Sequence, residues 1–228
     1  AHPTTVSGAG YTASVENLMV GEQDRWFRPA DVCVAPDGSL FVTDWYDPGV
    51  GGHQMVDTER GRLFRLAPPG TPYQVPKFDF STVAGAVEAL RNSNQSVRYL
   101  AWQALQRLGP EAQLALERMA TDANPRMRAR ALWALGKLPG NNAAGGSLAV
   151  ASALADKDPN IRVLGVRLAR QLNMDAKDFA ARVLSDPAPP VRRELALALR
   201  HSPSEQMPRM WAALAAQHDD ADRWYLEA

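Results

Sequence analysis

A single cysteine, Cys33, is all the thiol chemistry available to this 228-residue chain. That excludes an internal disulfide and a Cys-x-x-Cys-His haem-attachment motif. Cys33 lies between Val32 and Val34, a setting in which a buried structural thiol is expected. Net charge is also lacking: 25 Lys and Arg balance 25 Asp and Glu. A neutral chain has no broadly basic surface with which to displace counterions, so no nucleic-acid partner is expected, and an anionic membrane surface has no simple attraction for it. No run approaches the roughly 18 apolar residues that cross a bilayer, so no membrane span is expected in this segment. There is no signal-peptide pattern and no Gly-x-Ser-x-Gly nucleophile elbow. Ala1 is not an initiator methionine and Ala228 falls inside a helical pattern, so both ends read as cut and the chain as a piece of a longer protein.

What is present is a repeat. An apolar residue, an arginine and a helical apolar stripe follow a short polar turn at Val97-Arg98, Met127-Arg128, Ile161-Arg162 and Val191-Arg192, spaced 30, 34 and 30 residues apart. A period in that range with two helices per unit is the mark of an α-solenoid. The inward stripe of the first unit reads Val97, Leu100, Ala101, Ala104, Leu105 and Leu108, and the third repeats it from Ile161 and Leu164 to Leu172. Arg130 breaks the pattern in the second unit and Glu194 takes an apolar slot in the fourth. Asn124-Pro125 and Asp158-Pro159 supply an N-cap followed by proline at the first helical position. Ser81 is the expected N-cap of the first helix, Asn141 to Gly146 read as an insertion, and a fifth pair is expected at about 204–217 and 220–228. The recurring arginines have two readings: an anion-binding row, or a structural ladder in which each bonds an acid or carbonyl of the next repeat. Trp102, Trp133, Trp211 and Trp224 are expected to pack between repeats.

The first 70 residues differ. Two β-rich runs, about 31–35 and 40–44, flank Pro36-Asp37-Gly38-Ser39, which is turn chemistry. A third strand is expected at about 61–67 and a weaker one from Val15 to Val20, while residues 1–14 read as irregular. So few strands make about one propeller blade, which leaves open edges and must lean on the helices or on a larger sheet. Between the second and third strands runs the loop from Asp44 to His53, with Asp47, two aromatics and three glycines. Asp44, Asp47 and His53 are the candidate ligand or metal residues, suited to a divalent ion or a sugar hydroxyl if their side chains converge. The competing reading is a long blade connection, since one Asp-x-x-Asp and one His do not make a metal site by spacing alone.

The run Asp24-Arg25-Trp26-Phe27-Arg28-Pro29, then Asp31 to Leu40, the Asp44-to-His53 loop, Arg98 to Trp102, Arg128 to Lys137 and Asp222 to Ala228 resemble one family. It comprises large secreted proteins of planctomycetes and relatives, called membrane-bound dehydrogenase-domain or haem-binding proteins. The resemblance implies a mainly α chain, a HEAT-like α-solenoid of helix pairs preceded by a short β segment that is a partial β-propeller blade. Residues 1–67 would be the C-terminal remnant of a glucose/sorbosone-dehydrogenase-like propeller, 68–80 a Pro-rich linker and 81–228 HEAT-like repeats. It further implies a periplasmic or secreted oxidoreductase whose c-type cytochrome domain lies outside this chain. Haem c and a quinone cofactor would belong to that parent, with none in this fragment, and the partners would be the rest of the parent chain. No catalytic residue of sugar dehydrogenases carries over by motif, so the segment reads as scaffold and not as catalyst. The alternative is a non-enzymatic HEAT-repeat module with a protein partner on the solenoid face. A Cys-x-x-Cys-His encoded downstream would favour the first.

Overall fold

The computed structural model describes residues 1–46, 59–140, 143–200, 202, 205–218 and 221–228. About half of the chain is helical, with two small antiparallel sheets and no closed barrel among the described residues. Two compact units emerge, one of residues 17–104 and one of residues 1–16 with 105–228.

In the first unit, β3 (Pro29–Val34), β4 (Leu40–Asp44) and β5 (Arg62–Leu66) form a sheet in that order. The expected hairpin and third strand are therefore present. Gly38 takes a φ of 86°, and the Asp37 carboxylate accepts the N–H and hydroxyl of Ser39 at 3.0 and 2.6 Å, which closes the turn. Helix α1 (Val83–Leu90) is capped by Thr82, whose hydroxyl accepts the Gly85 N–H at 3.2 Å. The expected cap, Ser81, is instead held by Asp79, which accepts its hydroxyl at 2.6 Å. The corner before α2 (Gln95–Leu108) docks on the hairpin: Asn92 Nδ2 donates to the Pro36 carbonyl at 2.9 Å and Asn94 Nδ2 to the Val34 carbonyl at 2.5 Å. The sheet does lean on helices, and amides at the corner satisfy its backbone.

Cys33 is exposed, against expectation. It lies on edge strand β3, whose central residues are uncovered. Apolar alternation at an edge does not guarantee burial on either face. Val15 to Val20 forms no strand.

The second unit begins with a hairpin where irregular chain was expected: β1 (Thr4–Ser7) pairs with β2 (Gly10–Ala13). Both strands are almost wholly exposed, so they lack the burial alternation by which a strand is recognised. Its turn packs on the last helix. Ala9 N–H donates to Asp222 Oδ2 at 2.7 Å, and a Cβ on Gly10 would stand 2.4 Å from the Trp224 ring. Only glycine permits that approach.

The helices of this unit are α3 (Gln113–Met119), α4 (Pro125–Gly136), α5 (Ala143–Leu154), α6 (Pro159–Gln171), α7 (Ala180–Val183), α8 (Pro189–Leu199), α9 (Met207–Ala215) and α10 (Arg223–Leu226). They pack as a stack in which α4 touches α5 and α6, and α6 touches α8. Asn124, Asp158 and Asp222 cap α4, α6 and α10, with Pro125, Pro159 and Pro189 at helix starts. From residue 143 the expected insertion is helical and lengthens α5.

The buried stripes follow the repeat with one exception in the first. Val97, Ala101, Ala104 and Leu105 are buried, but Leu100 is 47% exposed. Leu105, Leu168, Ile161, Leu195 and Val191 are among the largest fully buried side chains. The tryptophans depart further. Trp211 is 54% exposed and Trp224 is 37% exposed, the latter against the hairpin, because α9 buries Met207 and Leu214 instead. Leu168→Asp should unfold the stack, since it buries an unpaired carboxylate. Leu100→Asp should shift the thermal midpoint little. Circular dichroism melts decide this, and similar midpoints for the two variants would refute the stripe.

Candidate functional site

The β3–β4–β5 register sets Asp44 opposite Arg62 at the end of the sheet. The Asp44 side chain is fully buried, and every hydrogen bond it accepts has a structural role. Oδ1 takes the Arg28 N–H at 2.7 Å and the Tyr46 N–H at 3.1 Å, and Oδ2 takes Arg62 Nε at 2.7 Å. Arg62 Nη2 also lies 2.5 Å from Oδ2, but too bent to count as a hydrogen bond, so it adds charge contact only. Arg62 Nη1 reaches Asp24 at 2.5 Å, and its guanidinium lies over the rings of Tyr46 and Phe64 at 5.0 and 5.2 Å. Burial pushes the Asp44 carboxyl up, but the Arg28 N–H, Arg62 and Tyr46 N–H together outweigh it and hold it below the usual carboxylate range. Asp44 thus anchors the chain where β4 ends, with Tyr46 turned to a left-handed φ of 49°. Asp47 and His53 lie outside the described residues. Among the described residues no three His, Cys, Asp or Glu side chains gather to hold a metal.

The second constellation is the arginine row. Arg128 binds Asp156 of the next repeat through two bonds, Nε to Oδ2 at 2.8 Å and Nη2 to Oδ1 at 2.9 Å. Arg162 repeats the arrangement on Asp186 at 2.7 and 2.8 Å. The remaining nitrogen of each faces back to the turn before its own helix: Arg128 Nη1 donates to the Asp122 and Ala123 carbonyls, Arg162 Nη1 to those of Asp156 and Lys157. Arg98 and Arg192 make the same backward contact, to the carbonyls of Asn92 and Ser93 and of Asp186. Asp156 Oδ1 and Asp186 Oδ1 in turn accept the N–H two residues on, of Asp158 and Ala188. The ladder reading of the arginines is the one seen at Arg128 and Arg162.

These carboxylates were missed as a set, although their signal is plain: Asp122, Asp156 and Asp186 each stand six residues before the arginine of their repeat. Glu194, the acid in an apolar slot, is buried and paired with Arg167 at 2.9 Å and Arg170 at 3.6 Å. An open groove of about 370 Å³ runs beside Leu132, Leu135, Leu148, Gln113 and Glu117, but the Asp156 on its wall is already spent on Arg128. No pairing of a nucleophile with a base appears among these groups.

A family model described as HEAT repeats matches residues 83–149. A second, described as a domain of unknown function (DUF7133), matches residues 4–68. No curated protein matches the chain.

Two outcomes follow from the ladder. Asp186→Ala strands the Arg162 guanidinium and should cost about 3 kcal/mol in urea unfolding, while the double change Arg162→Met with Asp186→Leu should recover most of it. An additive loss in the double variant would contradict the coupling.

The carboxyls of Asp156 and Asp186 are lowered. The hydrogen bond from Arg128 is the largest cause at Asp156; at Asp186 burial is the largest and raises it, but the Arg162 bond, the Ala188 N–H and the charges of Arg162 and Arg192 together outweigh it. Asp37 is held at about 2, chiefly by the Ser39 hydroxyl. A depressed folded value gives stability that is present above the unfolded value of about 3.9 and lost as pH falls through the folded one. The urea midpoint should therefore be steady from about pH 5 to 7 and fall below about pH 4. A midpoint unchanged down to about pH 3 would contradict these assignments.

Proposed function

We propose that this chain is a scaffold segment of a secreted or periplasmic multidomain oxidoreductase, joining a dehydrogenase-like propeller to a c-type cytochrome domain carried elsewhere in the parent. The observation that supports this reading is the seam between sheet and repeats. Asn92 and Asn94, at the corner of the first helix pair, hold the backbone of the β3–β4 turn. A seam of that kind transmits position and not chemistry. The buried carboxylates described above hold backbone and arginine, which suits a rigid spacer better than a catalyst. The residues present do not fit a haem c, because Cys33 is the one cysteine and two thioethers are needed. Neither haem nor quinone chemistry is therefore assigned to this chain.

The test is spectroscopic. The full-length protein, purified from its host, should show a Soret band that survives denaturation and should reduce a quinone-type dye when given sugar. The 228-residue chain alone should show neither. A full-length protein without both properties would overturn the redox reading, and either property in the isolated chain would overturn the scaffold assignment.

A further inference from the structure

The neutral total conceals a segregation of charge. Helix α4 with its C-cap Lys137 carries Arg126, Arg128, Arg130 and Lys137 and no acid. Helix α6 carries Arg162, Arg167 and Arg170 and no acid, and α8 carries Arg192 and Arg193 with the single acid Glu194. The ladder uses Arg128 and Arg162, and Arg192 turns back to the Asp186 carbonyl. Apart from these, Arg126, Lys137, Arg167, Arg170 and Arg193 lie on the three helices and the C-cap of α4, with Glu194 as their one acid.

Helical spacing places them together. Arg126, Arg130, Trp133 and Lys137 fall at i, i+4, i+7 and i+11 of α4, opposite the buried Ala131, Leu132 and Leu135. Contacts between helices run along the same side. Lys137 Nζ donates to Gln171 Oε1 at 3.1 Å, joining the ends of α4 and α6, and Arg167 reaches Glu194 on α8 at 2.9 Å. Arg167 and Arg170 share that one carboxylate while their side chains stay 59% and 48% exposed. Arg126 is exposed and Arg193 half-buried. Lys137 lies 4.6 Å from the Trp133 ring centroid, which adds an aromatic surface beside the charge. The N-terminal hairpin touches this side where the Tyr11 hydroxyl bonds Asn160 Oδ1, and its residues 1–15 carry no acid that would neutralise it.

We infer that the exposed side of α4, α6 and α8 is a docking surface for an extended acidic segment of a partner protein. The inference rests on the reading of the helix pairs as a scaffold and not on the redox role of the parent. Charge complementarity is the argument for the occupant. Packed helices lie about 8–10 Å apart, and an extended chain advances about 3.3 Å per residue, so a carboxylate at every third residue meets the cations of successive helices. Arginine forks bind carboxylates through paired bonds, as Arg128 and Arg162 already do within this fold.

Fluorescence anisotropy with a labelled twelve-residue peptide, an Asp or Glu at every third position, tests this on the whole chain. The peptide should bind, more weakly as salt rises. Arg126→Glu with Lys137→Glu, neither of which holds a buried carboxylate, should weaken binding by about tenfold or more. Arg118→Glu with Arg182→Glu carries the same charge change on α3 and α7 and should leave binding within about twofold. Circular dichroism confirms that both variants are folded. Absence of binding, equal losses in the two variants, or equally tight binding of an oligothymidine or of heparin would each overturn the acidic-segment inference. None of these bears on the scaffold reading, which the haem and dye measurements decide.

Discussion

A buried two-pronged bond between an arginine and the carboxylate of the next repeat underlies the helical unit. A guanidinium out of water is costly unless its donors are filled, and here one side chain fills them in two directions. Nε and one terminal nitrogen go forward to Asp156 or Asp186, and the other terminal nitrogen goes back to the turn that starts its own helix. The carboxylate is equally occupied, since it also holds an N–H of its own turn. Each arginine thus fixes the entry of its helix and the distance to the next repeat at once. Apolar stripes drive the helices together, and the ladder determines how far along one another they settle.

The helical half was legible because each repeat restates the same physics. Asn124-Pro125 and Asp158-Pro159 announce helix starts, and Ile161, Leu168 and Leu195 are buried where a 3.6-residue period puts them. The failures come where a residue answers to a distant partner. Leu100 and Trp211 satisfy the spelling of a stripe but stay about half exposed, at 47% and 54%. The β1–β2 hairpin was illegible because its support, Asp222 and Trp224, lies at the other end of the chain and its own residues face water. Cys33 shows the converse, an apolar setting on a strand that, among the described residues, has no neighbour on one edge. Of the candidate ligand residues, Asp44 is buried among Arg28, Arg62 and Tyr46, which makes it an anchor. Asp47 and His53 fall outside the described residues.

The position that carries Asp122, Asp156 and Asp186 in later repeats is occupied by Asn92 in the first. Its oxygen does the local work of the aspartates, accepting the N–H two residues on at 2.7 Å, but its nitrogen donates to the Pro36 carbonyl. An amide in place of a carboxylate therefore gives the array a polarity. A repeat placed ahead of Asn92 would offer its arginine to a group with no negative charge, whereas one placed between Asp122 and Asp186 would find the carboxylate it needs. Copying such a unit, by gene duplication or by design, should be tolerated inside the stack and resisted at its first member.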